Sequence, residues 1–360
     1  MNSSRLIIAL VLLYLPMAAQ VPAAEIEVRG AYGGVQSFWD SGARLDDYGI
    51  NAIFTGGHWL QPAQVARARA EGARVFAEFA TLNGGEYVEK HPEAWPVDEK
   101  GERSPKADWF MGVCPTDPGF RAWRMNELRE ILRRLELDGV WMDYVHWHAQ
   151  FEDPNPILPE TCFCPGCLSA FQAATGARLP EGGTAEKARW ILEHQENIWR
   201  DWRCSVVTGW ARDIKEIIRQ ERPGALLGLF HAPWTDQDFG GARRKILGLD
   251  FGQLAGVVDV FSPMVYHGRM GRDPRWVGEY VAWLSESLRI KAGKFPKIWP
   301  IVQATDEPAA VSPQEFEEVL RRGASGAASG VMMFTASAVA HDPAKLETLK
   351  KVYLEWAGKK

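Results

Sequence analysis

Short apolar runs alternate along this chain with stretches whose apolar residues recur every three or four positions. That alternation is the pattern of parallel strands linked by helical crossovers. Strands are predicted at 26–32, 52–55, 74–80, 139–144, 226–230, 258–266, 298–303 and 331–335, and helices at 62–71, 120–135, 185–222, 274–290, 313–324 and 343–356. Ser312 before Pro313 and Asp342 before Pro343 each set a capping side chain ahead of a proline whose missing N–H costs nothing at the first helical position. Eight strand–helix units predict a closed (β/α)8 TIM barrel, and residues 25–360 suit one such domain. The connections after the third and fourth strands, 81–118 and 145–184, exceed ordinary loop lengths and should rise over the carboxyl face of the barrel.

The first 24 residues have a different pattern. Arg5, an apolar run over 6–15 and then small residues are in the order of a secretory signal peptide, and the run is shorter than the ~20 residues of a spanning helix. The expectation is a secreted or periplasmic protein with no stable membrane insertion. The formal net charge is -5, and loss of a leader holding Arg5 as its only charge leaves -6. This argues against a nucleic-acid partner, which needs a basic face. No glycine-rich phosphate loop is present, and no cofactor is expected.

The fourth strand carries the most informative segment, DGVWMDYVHWH over 138–148, in which Asp143 ends an otherwise apolar run. A carboxylate there is costly unless it is paired or functional. Barrel sites form at the carboxyl ends of strands, which here collect Glu78, Asp143, His146, His148, His231, Tyr266, His267, Gln303, Asp306, Glu307 and Thr335. Of the 16 tryptophans, Trp59, Trp95, Trp109, Trp147 and Trp234 fall beside these ends, where a ring can stack on a ligand. Carboxylates among aromatic platforms are the composition of a sugar site. The substrate-binding set expected from position is Trp59, Trp147, His146, His148, His231, Trp234, Tyr266, His267 and Gln303. His146 and His148 also admit a metal reading, because alternate residues of an extended strand share one face. Metal-dependent amidohydrolase barrels carry an HxH on the first strand, which reads IEVRGAYG here, and no catalytic metal is expected.

DGVWMDY, the downstream CFCPGC with Leu168 and Phe171, CPTDPGFR from Cys114 and VDVFSPMVYH together resemble the barrel-fold families grouped as hypothetical glycosyl hydrolase-like. The resemblance spans most of residues 25–360. Met264 and Tyr266 also look like the sixth-strand motif of family eighteen chitinases, but that family's spaced acids ending in glutamate are missing from the fourth strand, so chitinase activity is not carried over. Several retaining α-glycosidase families use an aspartate at the end of the fourth strand as nucleophile, a role that the resemblance implies for Asp143. Glycoside hydrolysis needs a second carboxyl group. Glu78, which also ends an apolar strand, and Asp306 lead the candidates, followed by Glu307 and Asp236. The expectation is an exported glycoside hydrolase acting on an oligo- or polysaccharide through paired carboxylates. The alternatives are a noncatalytic carbohydrate-binding barrel and a metal-dependent hydrolase.

Cys114, Cys162, Cys164 and Cys167 can converge at the same face. In an exported chain two disulfides are expected among them, with Cys204 the odd thiol and a tetrathiolate zinc as the alternative.

Overall fold

The computed structural model describes residues 25–107, 109–152 and 154–359, so the leader proposed for residues 1–24 lies outside the described residues. The apolar runs fold as β1 (Val28–Tyr32), β2 (Ala52–Gly56), β3 (Arg74–Ala80), β4 (Gly139–Asp143), β5 (Leu226–His231), β6 (Val260–Val265), β7 (Lys297–Ile298), β8 (Ile301–Gln303) and β9 (Gly330–Phe334). All pairings are parallel; β1 lies between β2 and β9, and pairing of β5 with β6 closes the ring. The seventh barrel position is split, because β7 and β8 both run beside β6 with Trp299 and Pro300 between them. Pro300 has no N–H to give, but the ladder carries across the break. The Trp299 N–H reaches the Phe261 carbonyl at 3.0 Å and the Pro300 carbonyl accepts from Met332 at 2.9 Å. The eight-stranded closed parallel barrel with surrounding helices agrees with the (β/α)8 expectation.

The helix starts at Ser312 and Asp342 are capped as anticipated. The Ser312 hydroxyl accepts from the Glu315 N–H at 3.2 Å, and Asp342 accepts from Ala344 and Lys345 at 2.9 and 3.1 Å. The single helix expected over 185–222 is two, Thr184–His194 and Glu196–Glu221, because Gln195 leaves the helical region between them, with φ -134° and ψ 18°. The long connection after β4 holds a further helix, Pro165–Thr175.

Barrel geometry decides which side chains reach the mouth. Trp141 of β4 packs inside the barrel against Phe54, Phe76 and Trp299, stacked on the last at 5.5 Å between centroids. Its indole N–H reaches the Ser262 hydroxyl at 2.9 Å. The ring fits only because β5 offers Gly228, where an added Cβ would lie 2.0 Å from Trp141. Strand side chains alternate, so residues two positions after this layer also face the interior, one step nearer the carboxyl end. Those residues are Asp143 above Trp141, Glu78 above Phe76, and Phe230 above Gly228.

Candidate active site

Three carboxyl groups meet at the mouth. Asp143 ends β4 and is only 8% exposed, and its Oδ1 accepts the Tyr144 N–H at 2.8 Å. Burial holds its proton well above the usual carboxylate range, and the charges of Glu78 and Glu152 push it further. Glu78 is raised by burial, against the Tyr32 hydroxyl that donates to its Oε2 at 2.6 Å. Glu152, from the connection after β4, is also raised by burial, but an ion pair with Arg269 at 3.1 Å opposes the shift. Asp143 feels both other acids, so ionising all three together is costly, and Arg269 favours the charged form at Glu152 alone.

A cavity of about 880 Å³ opens over this cluster. Asp143 and Glu152 line it, with Tyr32, Trp109, Tyr144, Tyr266 and Arg269 among the other wall residues. Glu78 stays beneath, bound to Tyr32. Burial keeps the Tyr32 and Tyr266 phenols well above their usual range, so both remain neutral donors. Tyr144, directly after Asp143, has φ +49°, a left-handed conformation unfavourable to a bulky side chain. The strand direction ends there, and the tyrosine faces the cavity beside the acid.

Neither a protein-family model nor a curated protein matches the chain. Solved structures do. The β-galactosidase from the psychrophilic Marinomonas ef1 aligns with a TM-score of 0.66 at 11% identity, covering 92% of this chain and 60% of that one. This chain thus spans about 60% of that enzyme's length. The PgaB (BpsB) glycoside hydrolase domain from Bordetella bronchiseptica aligns at 0.65 and 12% identity, covering 89% and 92%. The β-amylase catalytic domain from Paenibacillus polymyxa aligns at 0.60 and 10%, covering 94% and 100%. The chain has the barrel fold of these glycoside hydrolases.

On this barrel the residues anticipated from sequence fall into distinct groups. Asp143 stands at the cavity wall and Glu78 directly behind it. Tyr266 lines the cavity, whereas the other eight expected substrate contacts are not among its lining residues. Trp59 is 82% exposed and borders a separate small cleft with Gln36 and Trp39. Trp147 is fully buried, with its indole N–H on the Arg203 carbonyl at 3.1 Å, and Trp234 is buried against Phe151 and Phe239. His231 donates to the Ala232 carbonyl at 2.9 Å, and burial lowers its pKa to about 3. His267 binds Glu315 at 2.8 Å. Gln303 donates to the carbonyls of Thr305 and Glu307 and accepts from the Arg269 N–H at 3.1 Å, which fixes the segments that carry Glu307 and Arg269 to the cavity.

The metal-dependent alternative finds little support in the imidazoles. His148 accepts the Gly112 N–H at Nδ1, 3.2 Å, and donates from Nε2 to the Pro105 carbonyl, 2.7 Å, so neither nitrogen is left for an ion. His146 donates from Nδ1 to Trp147, and burial lowers its pKa to about 4. Asp306 is 56% exposed and bound to Lys345 at 2.7 Å, which holds its carboxyl below the usual range. It is not among the lining residues, unlike its neighbour Glu307. Asp236 is paired with Arg243 at the surface. The disulfide expectation is corrected. All five cysteines are free, and Cys114 Sγ lies 3.3 Å from Cys167 and 3.6 Å from Cys164, far beyond the ~2.05 Å of a bond.

Glu152 and Arg269 were not singled out from the sequence. Glu152 sits in a polar loop segment, FEDPNP, and only its spatial pairing with an arginine after β6 marks it.

Proposed function

We propose that the protein is an exported glycoside hydrolase that cleaves an oligo- or polysaccharide in the cavity above β4. The reading is carried by three carboxyls crowded at the carboxyl mouth, each raised by burial, two of them on the cavity wall. Glycosidic cleavage needs one carboxylic acid to protonate the leaving oxygen and one carboxylate to attack the sugar or activate water. Among the described residues no cation pairs with Asp143 and two acids lie near it, so it holds the proton and is the acid. Arg269 favours the ionised form of Glu152, which is the base or nucleophile. This differs from the nucleophile role that resemblance implies for Asp143. Glu78 is a positioning residue whose charge, under Asp143, helps keep that proton in place. Trp109, 44% exposed, and the tyrosines supply flat faces for sugar rings. Export rests on the leader pattern of residues 1–24.

The test is hydrolysis of a panel of α- and β-linked glycans and aryl glycosides by the wild-type protein, Asp143→Asn and Glu152→Gln. Each substitution should lower kcat by about 10²–10⁴ on ordinary substrates. Asp143→Asn should still cleave dinitrophenyl glycosides, whose leaving group needs no proton, whereas Glu152→Ala should lose these substrates too unless azide takes the place of the missing carboxylate. The opposite rescue pattern exchanges the two roles. A wild-type protein that binds glycans and cleaves none is a noncatalytic carbohydrate-binding barrel.

A further inference from the structure

Apart from the cavity, the long connections after β3 and β4 meet at a second cluster. Cys114 of the first and Cys162, Cys164 and Cys167 of the second are all buried, with their sulfurs within 4.8 Å of one another. Four thiolates around one ion at metal–sulfur bonds of about 2.3 Å form a tetrahedron with edges of about 3.8 Å. The separations of 3.3 and 3.6 Å from Cys114 are close to such edges.

The surroundings suit thiolates. The Val97 N–H points to Cys162 Sγ at 3.3 Å and the Cys167 N–H to Cys164 Sγ at 3.3 Å. The Thr116 hydroxyl lies 3.2 Å from Cys114 Sγ and 3.1 Å from Cys167 Sγ. Three of the four sulfurs can therefore hold a protein donor at once, with the single Thr116 hydroxyl hydrogen going to Cys114 or to Cys167. Four thiolates on a divalent ion leave two negative charges in the interior, and the fully buried guanidinium of Arg203 lies within electrostatic reach of Cys162 and Cys167. Cys204 is also buried, but it takes no part in the cluster.

We propose that Cys114, Cys162, Cys164 and Cys167 bind one zinc ion that clasps the two connections together. Four protein ligands close the coordination sphere, so the site is structural and offers no position for a reacting water. A tetrahedral set of four sulfurs suits zinc or iron, and zinc is the redox-inert choice for a clasp. Each thiol gives up its proton on ligation. The clasp lies between wall elements of the cavity. Before Cys114 the chain holds Trp109 and Phe110, the latter packed on Tyr144 at 4.9 Å, and before Cys162 it holds Glu152. The inference does not depend on the glycosidase reading.

The full chain, purified without a metal-binding tag, should contain one zinc per molecule by elemental analysis and native mass spectrometry. Four thiols should react only after denaturation with a chelator has released the ion, with Cys204 as the fifth. Replacement by cobalt(II) should give the thiolate charge-transfer and tetrahedral bands of a four-sulfur site. Cys204→Ser should keep the full zinc content. Two disulfides, four reduced thiols that remain metal-free after zinc addition, or iron in place of zinc would each overturn the assignment. These measurements on the wild-type protein decide the matter even where single cysteine substitutions prevent folding.

Discussion

Replacing Asp143 by asparagine should stabilise the protein at neutral pH while it disables the site. In the unfolded chain this carboxyl titrates near ~3.9, whereas in the folded protein burial and the acids around it hold the proton to well above that. The folded state therefore binds a proton that the unfolded state has lost, and stability falls as pH rises from about 3.9 through the raised folded value. Asparagine cannot ionise, and its Oδ1 can keep the bond from the Tyr144 N–H, seen at 2.8 Å. Asparagine stays neutral without a bound proton, so it removes a cost of about 1.4 kcal/mol for each pH unit over which folded Asp143 keeps a proton that the unfolded chain has lost. With an unfolding entropy of about 0.7 kcal/mol/K for a chain of this length, a gain of about 2 kcal/mol raises Tm by about 3 °C. Thermal unfolding of the wild type and Asp143→Asn across pH should show a difference that is absent near pH ~4 and grows towards neutrality. A variant less stable at neutral pH, or a Tm gain independent of pH, would refute the crowded-carboxyl account of the site.

Arg269→Met removes the cation beside Glu152 and so raises that carboxyl further; because the base must be ionised, the acid limb of the kcat/KM profile should move to higher pH, and an unmoved limb would separate Glu152 from the chemistry. Asp306→Asn leaves the Lys345 ammonium, 1% exposed, with the Ala304 carbonyl at 3.0 Å and only the more distant Asp342 carboxylate at 3.9 Å. Since Asp306 is itself largely in water, the loss should be about 1 kcal/mol in denaturant melts, with activity per folded molecule unchanged. A fall in kcat comparable to that of Asp143→Asn would return Asp306 to the catalytic set. Gly228→Ala sets a Cβ 2.0 Å from the Trp141 ring, and overpacking of this kind costs about 1–3 kcal/mol, read as a lowered Tm; an unchanged Tm would mean that the barrel interior yields more easily than its packing indicates.

The strands were legible because each is an apolar run buried on both faces, a pattern that depends on local sequence alone. The break at Trp299 and Pro300 was not, since the ladder bonds that carry β7 into β8 come from Phe261 and Met332 on neighbouring strands. Likewise 185–222 has one continuous helical periodicity, and nothing in that periodicity marks the non-helical backbone of Gln195. The cysteine spacing was visible, but spacing cannot separate bonded pairs from four sulfurs around a centre. That distinction lies in separations of 3.3 and 3.6 Å between segments about fifty residues apart.

At the site, legibility ended where strand alternation ended. Asp143 and Glu78 could be read because each lies within a strand, so the interior position of Trp141 and Phe76 fixes theirs two residues later. His146, Trp147 and His148 follow Tyr144, whose φ of +49° breaks that alternation, so distance from the strand no longer tells which way a ring points. The two histidines turn to backbone carbonyls and Trp147 packs into the core, although all three have residue types suited to a ligand. The loop brings Glu152 back to the cavity instead, and its long-range partner Arg269 holds it there. The acid that shares the cavity wall with the strand-borne aspartate therefore comes from a segment whose sequence shows only a polar loop. The pairing with Arg269 makes it recognisable, and such a pairing exists only once the barrel has closed.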